Sequence, residues 1–147
     1  MDEVIFKHKI MEYNRNIHNK FTNMLNEHYK PFGITSVQAV ILLDLYENGE
    51  EKISDLSKNL SMTNSNVSVI CKRLEKNGFI NRVRDSEDQR IVKVVLADKF
   101  MDIQTKLESS VFDNYFENLT EDKIQEMKDI VNGLEKLDKL LSCIECK

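Results

Sequence analysis

Between Thr63 and Gly78 the chain places Ser65, Ser68, Val69, Lys72 and Lys76 on one arc of a 3.6-residue period, with Asn66 and Arg73 at its edges. Short hydroxyls and an amide near the start of a helix let its backbone sink close to base edges and hydrogen-bond bases or phosphates. The cations further along can meet a phosphate rim. Val67, Ile70, Cys71 and Leu74 fall on the opposite arc, which reads as the packing face. An ordinary solvated outer face is the competing reading of this helix taken alone.

The segment after Gly78 adds a second element of the same character. Phe79 to Arg84 and Ile91 to Leu96 are β-branched or aromatic runs separated by the polar stretch Asp85 to Arg90, the pattern of a β-hairpin. Arg82, Arg84, Arg90 and Lys93 make it basic, while Asp85, Glu87 and Asp88 repel phosphate unless they are paired with those arginines, so Asp88 reads as structural. An arginine at a hairpin tip can enter a narrow minor groove, where the negative potential is enhanced, and Arg90 is the residue placed to do so. Its alternative role is an intra-hairpin salt bridge, worth little in solvent.

Two short helices must position this face. The first is expected to open at Ser54, whose hydroxyl can accept from first-turn amides, and to carry Leu56 and Leu60 inward before Ser61 and Met62 break it. The second opens at Thr63 or Asn64 and closes at Asn77 and Gly78. Helix, turn, helix and hairpin in this order read as a winged helix-turn-helix. The candidate DNA contacts are Thr63, Asn64, Ser65, Asn66, Ser68, Lys72 and Arg73 on the helix, with Arg84 and Arg90 on the wing.

The run Leu74-Glu75-Lys76-Asn77-Gly78-Phe79-Ile80-Asn81-Arg82, then Asp88-Gln89-Arg90 and Val94-Val95-Leu96, resembles the MarR family of bacterial transcriptional regulators. Gly33-Ile34-Thr35 with Gln38 resembles that family's second-helix start. The resemblance extends over essentially the whole chain, and it implies a symmetric homodimer, a recognition helix in each of two major grooves, and wing arginines in the flanking minor grooves. It also implies release by a small-molecule effector or by thiol oxidation. The chain departs from the pattern at Val69, where the family often carries a basic residue, and at Leu96-Ala97-Asp98, where Leu-Thr is common.

Length and composition fit one mainly α domain with a small β-hairpin wing, an α+β arrangement. Residues 35–98 form the DNA-binding module in this reading, and residues 1–34 and 99–147 form a helical dimerisation region. From Glu3 to Lys30, Phe6, Ile10, Tyr13, Ile17, Phe21, Met24 and His28 recur at three and four residues, and Pro31 with Gly33 ends the helix. Thr35 and Gln38 make a capping box for an apolar helix from Ser36 to Asn48. Later stripes run through Phe100, Ile103, Leu107, Val111 and Tyr115, and from Ile124 through Met127, Val131, Leu134 and Leu137 to Leu141. Such stripes suit a two-fold interface, which would bring two recognition helices a DNA turn apart. Intramolecular packing alone is the alternative.

The 147-residue chain carries a formal net charge of -4, which by itself argues against a nucleic-acid binder. Its distribution does not. From Lys52 to Leu96 there are nine Lys and Arg against five acids, a net +4, and the remainder carries -8. No apolar run is long enough for a membrane span or signal peptide, so a cytoplasmic protein is expected.

No phosphate loop, nucleophile elbow or paired-carboxylate pattern suggests an enzyme, and no cofactor is implied. His8, His18 and His28 lie ten apart on one helix and do not converge as metal ligands. Cys143 and Cys146 form a Cys-x-x-Cys with no second pair to complete a structural zinc site, and Cys71 reads as a small core residue. Tyr13, His18 and Tyr115 are the candidate effector contacts, and they serve equally as core residues. A winged-helix protein-interaction module without DNA binding is the alternative function.

Overall fold

The computed structural model describes residues 2–107 and 120–145, so Val111, Tyr115 and Cys146 lie outside the described residues. Residues Met1–Thr105 make one compact unit and Lys106–Lys147 another. In the first unit, helix α1 (Glu3–Tyr29) starts on Asp2, whose carboxylate accepts the Val4 N–H. A 3₁₀ turn at Lys30–Phe32 containing Pro31 ends it. Helix α2 (Ser36–Asn48) begins on the expected capping box, with Thr35 and Gln38 satisfying each other's backbone amides.

Polar contacts and a ring contact hold α1 to its neighbours. The Ser36 N–H donates to Asn26 Oδ1 at 3.0 Å, joining the start of α2 to α1. The Tyr29 hydroxyl donates to Gln104 Oε1 at 2.7 Å in the interior, and its ring stacks on Phe100 with centroids 6.1 Å apart. A buried hydroxyl needs such a partner, because an unmatched one costs about 1–3 kcal/mol. Phe100 and Ile103 are buried on helix α5 (Asp98–Leu107), within the same compact unit as the winged module.

A two-residue strand β1 (Glu51–Lys52) precedes helix α3 (Ile53–Asn59). The expected cap at Ser54 is not formed. Lys52 occupies the N-cap position without a side-chain bond, and the Ser54 hydroxyl donates to Asp55 instead. Glu51 and Lys52 are paired as a strand and the helix follows directly from it, so the cap position falls two residues before Ser54. Strands β2 (Ile80–Arg84) and β3 (Val92–Leu96) form the predicted hairpin, and β1 adds to it in the order β1-β3-β2, all antiparallel. Val94, at the centre of β3, lies opposite both Glu51 and Arg82 and is fully buried.

In the second unit, helix α6 spans Glu121–Glu145. Ile124, Met127, Val131, Leu134 and Leu141 are exposed on it, and Leu137 is half-buried. On α1, Tyr13, Ile17, Phe21 and Met24 are likewise exposed. The stripes of α1 and α6 therefore leave large apolar side chains uncovered, whereas Phe100 and Ile103 of the α5 stripe are buried.

One polar contact of the winged module runs against simple pairing. Asp44 Oδ2 on α2 and Glu51 Oε2 on β1 are buried without a hydrogen-bond donor. Burial first, then the neighbouring Asp44 and Asp55 carboxylates, push the Glu51 carboxyl up to about 7, against the Asn59 amide that donates to its other oxygen. A folded-state value above the ordinary 4.5 means that the folded protein binds the extra proton between those two pH values. Stability contributed here is present at low pH and falls as pH rises from 4.5 to 7. Glu51→Gln, which supplies a permanent donor for Asp44, should raise Tm at pH 8 by roughly 3 °C and change it little at pH 4.5, as followed by circular dichroism.

Candidate nucleic-acid interface

Helix α4 (Asn64–Lys76) is set by its two ends and its inner line. Thr63 caps it, its hydroxyl accepting the Asn66 N–H at 3.3 Å and lying 3.2 Å from the Ser65 hydroxyl. At the other end Asn77 is the C-cap, and Gly78 turns the chain at φ 77°, a left-handed conformation that costs other residues strain. Val67, Cys71 and Leu74 are fully buried and Ile70 is half-buried, as the period predicts. The turn from α3 passes through Ser61 at φ 51°, with the Met62 N–H returning to the Ser57 carbonyl at 2.8 Å.

The outer arc is open. Asn64, Ser65, Asn66, Val69, Lys72, Arg73 and Lys76 are exposed, and Ser68 is half-buried. Among the described residues the side chains of Asn66, Lys72 and Arg73 have no ion pair or hydrogen-bond partner, so their donors are available. Thr63 is exposed as well, but its hydroxyl is engaged as the cap. Its contribution is to hold the first turn of the helix.

The wing divides its four basic residues in a way that the sequence does not reveal. Arg82 Nε donates to Glu75 Oε2 at 2.7 Å, and the Arg82 N–H donates to Glu75 Oε1. This fork ties the end of α4 to β2 and holds the Glu75 carboxyl below its usual range. Lys93 bridges Glu50 and Asp85 at 3.2 and 3.0 Å. Asp85 is thus paired with a lysine rather than with the hairpin arginines. That ammonium first, then the Glu87 and Asp88 amides, hold its carboxyl at about 2. The Asp88 carboxylate accepts the Arg90 N–H at 2.9 Å, a structural role as expected. Arg84 donates one guanidinium nitrogen to the Gln89 carbonyl. Arg90 is exposed, and among the described residues its guanidinium has no partner. The intra-hairpin salt bridge that would have occupied it is not formed, and the wing's outward charge is carried by Arg84 and Arg90.

Lys99 closes the junction between module and flank. Its ammonium lies 4.4 Å from the centre of the Phe79 ring and donates to the Asn77 carbonyl at 2.8 Å. Sequence patterning had no signal for this residue beyond its charge.

Two of the three candidate effector residues can be placed, and they do not share a face of α1. Tyr13 and His18 are both exposed on α1, five residues apart and so on different sides of the helix, and Tyr115 lies outside the described residues. His18 lines an open groove with His8, Met11, Glu12, Asn14 and Arg15, all from α1 itself. Cys71 is fully buried, and burial pushes its thiol up to about 11. Among the described residues no group of three or more His, Cys, Asp or Glu is arranged to hold a metal, and no helix is long and apolar enough to cross a membrane.

A cap, an inner apolar line, a polar and basic outer arc and a hairpin with two outward arginines define a winged helix-turn-helix. Residues 34–92 match the family model described as the MarR family, and the chain carries a domain of that family. The chain is similar to the HTH-type transcriptional regulator SarZ of Staphylococcus epidermidis, 26% identical over 121 residues that cover 80% of this chain and 78% of the relative. Its fold is similar to the crystal structure of AbfR of Staphylococcus epidermidis, with TM-score 0.73 and 18% identity over 93% of this chain and 96% of the other. The structure of reduced AbfR bound to DNA is also similar, with TM-score 0.72 and 23% identity over 95% and 96% of the two chains.

Two substitutions separate the roles on α4. Lys72→Ala should weaken binding to all duplexes alike and reduce the slope of log affinity against log salt by roughly one. Asn66→Ala should cost about 1–3 kcal/mol on a selected duplex and much less on random DNA, both read by fluorescence anisotropy.

Proposed function

We propose that this protein is a sequence-specific DNA-binding transcriptional regulator, a repressor that grips a pseudo-palindromic operator as a homodimer in the cytoplasm. The observation that carries this reading is the segregation of charge in the module. Arg82 and Lys93 are consumed by Glu75, Glu50 and Asp85, whereas Lys72, Arg73 and Arg90 stand unpaired on the outer arc and wing. In a chain of net charge -4, unpaired cations gathered on this outer arc and wing fit a specific binder rather than an indiscriminate one. Similarity to a named transcriptional regulator and to a DNA-bound structure supports the same reading over a winged-helix module that binds only proteins.

In this reading residues 35–98 contact DNA, while residues 1–34 and 99–147 supply the dimer contacts. The exposed Ile17 and Phe21 on α1, and Val131 and Leu134 on α6, support it, since large uncovered apolar faces are seldom left in water. A small molecule is the favoured effector. Oxidation at Cys71 is disfavoured, because the thiolate is the reactive species and this thiol is both buried and held protonated. Catalysis has no place in the proposal.

Anisotropy titrations against random duplex pools and duplexes selected from them test the reading. Affinity for a selected duplex should fall by at least roughly a hundredfold between 50 and 200 mM salt, as expected when several phosphates are neutralised. Salt-insensitive association, or none, would reject DNA binding in favour of an apolar protein interface. Arg90→Ala should lose affinity mainly on duplexes with narrow, A·T-rich flanks. Sedimentation at micromolar concentration should show a dimer, and a stable monomer would remove the two-fold arrangement.

A further inference from the structure

Val69 is the anomaly of the outer arc. It is 48% exposed, and on the helical period it projects almost directly away from the buried line of Val67, Cys71 and Leu74. The neighbours one turn either side of it on the helix surface are Ser65, Asn66, Lys72 and Arg73, all exposed and none apolar. An isolated exposed valine needs no explanation on an arbitrary surface. Here it stands at the middle of a face whose other members are hydrogen-bond donors and cations. That setting lacks the contiguous apolar area a protein partner would cover.

We propose that Val69 reads the 5-methyl group of a thymine in the major groove and so sets one thymine in each operator half-site, an inference that rests on the DNA-binding function proposed above. The chemistry is specific to that occupant. The thymine methyl is the one apolar feature that B-DNA displays in the major groove, and the minor groove has none. A helical side chain leans toward the N-terminus, so Val69 lies over the turn bearing Ser65 and Asn66, on the side where base edges come within reach. The β-branch confines a helical valine almost entirely to one rotamer, so its two methyl groups are held in place before contact. Lys72 and Arg73 beside it provide the phosphate attraction that brings a base pair against so small a group.

Replacing each thymine of a selected duplex in turn by deoxyuridine tests the proposal, because deoxyuridine pairs identically and lacks only the methyl. One position per half-site should weaken the parent protein about fourfold, the worth of one buried methyl group, and about fifteenfold when both halves are changed. Val69→Ala should bind the thymine duplex that much more weakly and no longer distinguish thymine from deoxyuridine at that position. Its circular dichroism and Tm should match the parent, since the side chain is outside the core. If no position responds to deoxyuridine, or if Val69→Ala keeps the same discrimination, Val69 does not read the methyl while DNA binding stands. If the parent shows no salt-dependent affinity for any duplex, the function and this inference fall together.

Discussion

Burial of Val67, Cys71 and Leu74 along one line of α4 decides the rotation of that helix about its own axis, and the outward chemistry of the module follows from that angle. Each such side chain contributes about 1.5–3 kcal/mol when fully removed from water, far more than any exposed ion pair on the surface. Turning the helix by one residue would bring Ser68 or Lys72 into the core and cost several kcal/mol. With the angle held, Asn66, Val69, Lys72 and Arg73 have only the outside to face. The apolar line, rather than the polar one, therefore aims the polar one.

The wing depends on α4 through a contact of a different kind. Glu75 uses both carboxylate oxygens on Arg82, one for the backbone amide and one for the guanidinium, so the helix end and the middle of β2 are tied by a charged fork. Gly78 makes the intervening turn tight, and Lys99 braces the same corner from α5 by lying against the Phe79 ring. Each contact is modest because the partners are partly exposed. Together they make the hairpin a continuation of the helix rather than an independent flap, so Arg84 and Arg90 are offered in a defined relation to Lys72 and Arg73.

The acidic residues of the module are arranged by the same logic of subtraction. Lys93 is shared by Asp85 and Glu50, Glu75 cancels Arg82, and Asp88 is used on a backbone amide. Asp44 and Glu51 instead lie together in a buried contact, where desolvation and the neighbouring carboxylates raise the Glu51 carboxyl. Part of the module's negative charge is thereby engaged, while Lys72, Arg73 and Arg90 stay unpaired on the outer arc and wing among the described residues. An overall acidic chain can present a basic face in this way without becoming basic overall.

The sequence by itself determined the elements whose signals are local. Thr63 and Gly78 bracket α4, Thr35 and Gln38 start α2, and the alternation around Asp85 to Arg90 marks the hairpin, because caps, turns and periodicity act within a few residues. The outer arc of α4 was legible for the same reason. Tertiary structure alone decided what depends on distant partners. Strand β1 is two residues long and exists only because β3 offers it Lys93 and Val94, and forming it moved the start of α3 away from Ser54. Tyr29 finds Gln104 across seventy-five positions of chain. Which wing cations remain free was likewise invisible, since Arg82, Arg84, Arg90 and Lys93 look alike as charges. Folding sorted them by whether a carboxylate came within about 3 Å, a distance that one-dimensional spacing does not encode.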